Sequence, residues 1–319
     1  MPSLKSRLVA FVLRHTRKKA FSSPEAMNRW IARARMKESH RPPRRITSSL
    51  AVGQRSLLGR PVYDVEPRGG ASGPHIVYLH GGAFCFEITP YHWRLIGELA
   101  ERLSAHVTVP VYPLAPEHDH DAIFAMGMAV YRDALRRTSA DRLVLVGDSA
   151  GGNMAVVLTM MAAAEELPRP SRLALISPGL DMTLADPRSR DYARDDPWLD
   201  IDGGLEAIRL YAGALDRADW RVSPVNGDLS VLPPTLILAG QRDMLTPGTV
   251  SFAERARAAG AEVELVIEPD MIHVWPLIDM PEARVARDRM IDWLARPQPL
   301  PVQRPIKPVQ RLRPQAAFS

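Results

Sequence analysis

The segment LVLVGDSAGGNMAV (residues 143–156) runs from four apolar residues through a Gly-Asp-Ser-Ala-Gly-Gly turn into an alanine- and methionine-rich stretch. Its reading decides the fold. Apolar residues, then a cluster of small ones, then helix formers describe a strand that turns sharply into a helix, with Ser149 at the turn. On such an elbow the serine Oγ is pushed out beyond the strand's carboxyl end, whereas in an ordinary glycine-rich loop it has no set direction. Gly147, Ala150, Gly151 and Gly152 let the backbone turn tightly and leave room for a substrate carbonyl. Ser149 is therefore read as a nucleophile.

Around this elbow, from residue 46 onward, short β-rich runs alternate with helical stretches. That alternation builds a mostly parallel sheet covered by helices on both faces, so the fold class is α/β. Eight strands are predicted, in ITSSLAV, PVYDVEP, HIVYLHG, HVTVPVY, RLVLVGD, RLALISP, TLILAG and EVELVIE. Helices are predicted at 90–103, 121–137, 151–166, 247–260 and 281–295. One connection breaks the rhythm, because more than fifty residues separate Pro178 from Thr235. A connection that long usually has its own structure and a purpose. Within it, DDPWLDIDGGLEAIRLYAG predicts a capped helix with Leu205, Ile208 and Tyr211 or Ala212 on one face, read as part of a lid.

The chain has 319 residues, 46% of them hydrophobic, enough for one large core with a lid. A single cysteine, Cys85, excludes an intramolecular disulfide and fits a reducing compartment, so a cytoplasmic location is expected. The formal charge of +5 is unevenly placed: residues 1–45 carry 13 Lys/Arg against 2 Asp/Glu, and 296–319 carry 5 against none. The body, 46–295, holds 23 basic and 34 acidic residues, which argues against a nucleic-acid partner. No apolar run approaches the roughly 18 residues of a membrane span.

At the start, Leu4, Leu8, Phe11, Val12 and His15 recur at helical spacing, with Lys5, Arg7, Arg14 and Arg17 largely elsewhere on the wheel. A second helix is expected in SSPEAMNRWIARARM, with Ser23 as cap and Pro24 at the first helical position. The apolar faces of these helices are read as folding over the protein's own pocket; weak contact with a membrane surface is the alternative. The expected organisation is 1–45 as basic helices of the lid, 46–180 and 221–296 as the core, 181–220 as the lid insertion, and 297–319 as a disordered proline-rich tail.

A nucleophile of this kind needs a base, an acid to orient the base, and donors where an oxyanion would form. VYLHGGAFCF carries an apolar strand straight into His80-Gly81-Gly82-Ala83, so the N–H groups of Gly81 and Gly82, with that of Ala150, are the expected donors. TLILAGQRDML places Asp243 in the loop after a strand, where functional groups of open α/β sheets gather. Asp270 is its rival. VIEPDMIHVWP presents His273 before the final helix, and of nine histidines only this one follows both Ser149 and Asp243. The EHDHD run, with His118 and His120, lacks further ligands for a metal, and no metal or organic cofactor is expected.

Taken together, HGGA, YPLAPEH, GDSAGGN, GQRDML and MIHVWP, in this order, resemble the hormone-sensitive-lipase-like family of α/β-hydrolases, bacterial carboxylesterases among them. The likeness runs from about residue 75 to 294. It implies the α/β-hydrolase fold with a helical cap from the N-terminal helices and the insertion. It also implies a nucleophile at Ser149, acid at Asp243, base at His273, and an oxyanion hole from Gly81, Gly82 and Ala150. The expected function is a serine carboxylesterase acting on short- to medium-chain acyl esters through an acyl-enzyme. A lactone hydrolase on the same triad, or a non-catalytic ligand-binding receptor on the same fold, are the alternatives. Its partner would be a small-molecule ester, with the oligomeric state open, a homodimer included. Three departures stand out: Ala83 in place of a third glycine, Asp119-His120-Asp121 after LAPEH, and an acid loop reading Asp243-Met244-Leu245-Thr246-Pro247, which leaves a second carboxylate there in doubt.

Overall fold

The computed structural model describes residues 2–37 and 39–297; the predicted tail lies, beyond Pro297, outside the described residues. Eight strands form one sheet: β1 (Leu50–Leu57), β2 (Arg60–Pro67), β3 (His75–Leu79), β4 (His106–Pro110), β5 (Leu143–Asp148), β6 (Arg172–Ile176), β7 (Thr235–Arg242) and β8 (Val263–Ile272). Their spatial order is β1-β2-β4-β3-β5-β6-β7-β8. β1 and β2 run antiparallel to each other, as do β2 and β4, and the remaining pairs are parallel.

Strand periodicity explains why the central strands read as unbroken apolar runs. In β3 and β5, Val77, Leu79, Leu143 and Leu145 enter one buried cluster, while Ile76, Tyr78, Val144 and Val146 enter another on the opposite face. Both faces are thus covered, as parallel sheets require. Each such side chain contributes about 1.5 to 3 kcal/mol on full burial. The first cluster lies under α5 (His120–Arg137), α6 (Ala150–Ala164) and α9 (Thr246–Ala258), and the second under α4 (Pro90–Arg102) and α10 (Pro281–Ala295). These five helices stand where they are predicted, within a residue or two.

One predicted strand starts too early and ends too soon. ITSSLAV begins as helix α3 (Arg44–Ser49), and only from Leu50 does the chain become β1. Pro43 starts that turn in extended conformation, and the Ile46 side chain packs on Gly97 of α4. Burial of Ile46 overrides the β-preference of a stretch rich in Ile, Thr and Ser.

The remaining helices are α1 (Leu4–His15), α2 (Pro24–Arg35), α7 (Pro187–Asp195) and α8 (Ile201–Ala212). Ser23 caps α2 as predicted, accepting from the Ala26 N–H at 3.2 Å. α2 packs on α8, with Asn28 donating to Glu206 at 2.8 Å and the Gly203 N–H donating to the Phe21 carbonyl at 2.9 Å. A side chain at Gly203 would strike the Phe21 backbone, so only glycine allows this approach. Lys18 completes the junction: its ammonium donates to the carbonyls of Ala193 (2.6 Å), Asp196 (2.8 Å) and Leu199 (2.9 Å), using all three of its protons.

α1 departs from expectation in its orientation. It turns Ser6 and Ala10 toward the body, with Val9 and Leu13 beside them, and leaves Leu4, Leu8, Phe11 and Val12 exposed. Leu8 and Val12 reach the main cavity, whereas Leu4 and Phe11 lie outside its lining, the Phe11 ring meeting only His15 of its own helix at 4.3 Å among the ring contacts of the described residues. Ser3 and Lys5 fix this pose through Glu282 and Asp279.

Candidate active site

Four chain segments meet where the parallel strands end at their carboxyl side. They follow β3, β5, β7 and β8. β4 lies on one side of β3 and β5 on the other, the switch in strand order at which open sheets form a crevice.

Ser149 sits between β5 and α6 with φ +51° and ψ −116°, a conformation that side chains seldom adopt. Two things hold it there. Its N–H donates to the Ile176 carbonyl at 2.8 Å, and Gly147 lies so close to the Gly151 carbonyl that a Cβ would collide. Ala150 heads α6, so its N–H has no partner one turn back in the helix, and Ala150 lines the cavity together with Gly81 and Gly82. Gly82 has φ +126°. A side chain at Gly81 would run into the Asp148 carboxylate.

The acid and base are aligned by strand pairing. Arg242 pairs with Ile272, past a register shift between Gly240 and Arg242, so Asp243 and His273 are the next residues on neighbouring strands. β7 thus runs two residues beyond the predicted end at Gly240. His273 Nδ1 lies 2.8 Å from Asp243 Oδ2, and its Nε2 lies 3.0 Å from Ser149 Oγ. Asp270, the rival acid, is exposed on β8, its N–H 3.3 Å from Gln241 Oε1. Burial disfavours a charged His273, but the charge of Asp243 and its hydrogen bond outweigh burial and hold the imidazole pKa above its ordinary value.

A second buried carboxylate stands beside this pair, and sequence reasoning missed it. Asp196, in the insertion, accepts from the N–H groups of Trp198 (2.7 Å) and Leu199 (3.0 Å), and its other oxygen accepts from Met244 N–H at 3.0 Å. Burial first, then the neighbouring charge of Asp243, pushes its pKa up to about 6. Trp198 meets the His273 ring edge-on at 5.9 Å. The insertion therefore touches both the acid loop and the imidazole.

Asp148, next to Ser149, is held by Tyr78 Oη at 2.8 Å and His92 Nε2 at 3.3 Å. Burial alone would raise its pKa, yet His92 and Tyr78 keep it below the usual carboxylate range. His80 stacks on Tyr112 at 4.2 Å, and burial drops its pKa to about 3, so it stays neutral under the glycine loop. His120 is packed against Phe124 at 4.3 Å. Among the described residues, no group of three or more His, Cys, Asp or Glu is arranged to hold a metal ion.

Above Ser149 opens a cavity of about 1040 Å³. Phe84, Met182, Trp198, Ile208, Tyr211 and Leu245 supply apolar wall, and α1 and α2 contribute Leu13 and Trp30. No helix among the described residues is long and apolar enough to cross a membrane.

Comparison with known proteins agrees with this architecture. Residues 76–277 match a family described by the alpha/beta hydrolase fold. An esterase of Acinetobacter venetianus is 32% identical over 69% of this chain and 75% of its own length. A triacylglycerol lipase of Mycobacterium tuberculosis is 30% identical over 74% of this chain, which spans only half of that protein. The crystal structure of a hormone-sensitive lipase from a metagenome library superposes with a TM-score of 0.79 at 30% identity, covering 92% of this chain and 98% of that one. With its family match over more than half its length and these relatives, the chain belongs to the hormone-sensitive-lipase-like family of α/β-hydrolases.

Proposed function

We propose that this carboxylic ester hydrolase works as a serine esterase, with Ser149 as nucleophile, His273 as base and Asp243 as the acid that orients it. The observation that carries the reading is the continuous hydrogen-bonded line Asp243–His273–Ser149, at 2.8 and 3.0 Å, with Ser149 half-buried on its elbow at the floor of an apolar cavity. In this mechanism His273 Nε2 takes the Oγ proton as Oγ attacks the ester carbonyl. Asp243 stabilises the imidazolium, and the N–H groups of Gly81, Gly82 and Ala150 receive the oxyanion. The imidazolium then protonates the leaving alcohol. Water, deprotonated by His273, releases the acid from the Ser149 acyl-enzyme.

The cap consists of α1 and α2 from residues 1–45 and α7 and α8 from the insertion, as the Lys18 and Asn28 bonds across that junction support. The preferred substrates are short- to medium-chain acyl esters, whose chains the apolar wall would cover. The test is hydrolysis of p-nitrophenyl esters from acetate to palmitate by the wild type, Ser149→Ala and His273→Ala. The expected result is wild-type turnover strongest on the shorter chains and lost in both variants. Turnover undiminished by Ser149→Ala would overturn the nucleophile, and a maximum at palmitate would overturn the chain-length assignment.

A further inference from the structure

Helix α1 is amphipathic with its apolar side turned the wrong way for a soluble helix. On the wheel, Leu4, Leu8, Phe11 and Val12 fall within one arc of about 100°. They are 82%, 62%, 61% and 48% exposed. The face that packs on the body is made by the small residues Ser6 and Ala10 with half-buried Val9 and Leu13 beside them, which leaves the four others uncovered. Ordinarily a helix hides its large apolar residues and shows its polar ones, and contiguous exposed apolar surface marks a binding face.

Charge says what the face would bind. Arg7 and Arg14 flank the arc on one side and Lys5 on the other; Lys5 is paired with Asp279 and Arg14 donates to the Arg194 and Asp195 carbonyls, all three staying exposed. This matches a helix lying in a membrane interface, with apolar residues inserted and basic ones at headgroup level. The cationic character extends beyond the helix: Arg17, Arg33, Lys37 and Arg41 rim the cavity, which α1 itself reaches through Leu8 and Val12. A second copy docking here by two-fold symmetry would bring two such basic segments face to face, which like-charge repulsion opposes.

We infer that the outer face of α1 is a docking surface for an anionic lipid bilayer, which would bring the cavity mouth against the membrane. Substrate could then pass from lipid into the cavity past Leu8 and Val12 without crossing water. This goes beyond ester hydrolysis and does not depend on it, because docking uses Leu4 and Phe11, which lie outside the cavity lining.

The test is flotation of the full chain with phosphatidylcholine vesicles, with and without phosphatidylglycerol, at low and high salt. The wild type is expected to float with the anionic vesicles at low salt and to be released by high salt. The double variant Leu4→Glu/Phe11→Glu is expected to lose at least about tenfold in partitioning, since it removes two inserted side chains and adds repulsion from the anionic surface. Its turnover of soluble p-nitrophenyl acetate should match the wild type, which shows that the variant is folded. No flotation of the wild type, equal flotation of the variant, or equal binding to both vesicle types would overturn the inference. So would sedimentation showing a wild-type dimer that the variant dissolves, since the face would then belong to a second copy.

Discussion

Below Ser149 the protein is held by strand pairing between two buried apolar faces; above it, the helices over the cavity join one of those apolar clusters through Met27, Ile31, Ile208 and Tyr211 and are tied further by side chains that reach backbone carbonyls. Val77, Leu79, Leu145 and Val146 bury themselves on two faces of one sheet, and the Arg242–Ile272 pairing aligns the acid with the base. Lys18 instead bonds three carbonyls of the insertion, and Arg35 bonds those of Cys85 and Ala115 at 2.6 and 2.7 Å. The first arrangement sets the acid and base by strand register. The second adds charged fastenings to a packed layer that stands over a large cavity.

If the lower region holds the chemistry, its variants should lose rate without losing fold. Ser149→Ala is expected to lower kcat by roughly 10⁴ to 10⁶, with a thermal midpoint near that of the wild type. Asp243→Asn should cost about 10⁴ in kcat through the wrong imidazole tautomer. It should also move the acidic limb of the pH–rate profile. His273 must be neutral to act as a base, so activity is present above its pKa and lost as pH falls through it. Asp243 raises that pKa, and its removal should shift the limb to lower pH; an unmoved limb would break the assignment.

Variants in the upper region should do the reverse. Lys18→Met leaves three carbonyls without their charged donor and should cost about 1.5 to 3 kcal/mol in stability, read by urea unfolding. Limited proteolysis should find the insertion first. A loss of rate with no loss of stability would erase the distinction between the layers. Smallest is the effect at their seam. Asp196→Asn should cost about tenfold in kcat/KM, or about 1.4 kcal/mol, and shift the acidic limb slightly downward, because Asp196 also favours the His273 cation.

This contrast also decides what could be read before folding. Seven of the eight predicted strands and all five core helices carry local signals: apolar runs, Pro at the first helical turn, and small residues at the elbow. Ser149, Asp243 and His273 were legible because each closes such a run, and the structure brings the three together. ITSSLAV misled because burial of Ile46 against α4 outweighs strand propensity. Helix α7 was missed although Asp186 and Pro187 mark its start, as its polar PRSRDYARD shows no apolar stripe. Asp196 and Lys18 could not be found by pattern. The contact that ties Asp196 to the acid loop is with Met244, 48 residues away, and the partners of Lys18 lie up to 181 away; an aspartate among aspartates or a lysine among lysines has no spacing that marks it.

The pairing of Arg242 with Ile272 has a consequence for how this chain can vary in length. Side chains alternate across a strand, so one residue gained or lost between Val263 and Ile272 would turn His273 to the other side of the sheet. Insertions there should be lethal to activity, whereas the turn at 259–261, upstream of the first bond to β7 at Glu262, can lengthen while β8 keeps its place. A library of single-residue deletions would draw that boundary as a sharp step in activity along one short stretch of gene.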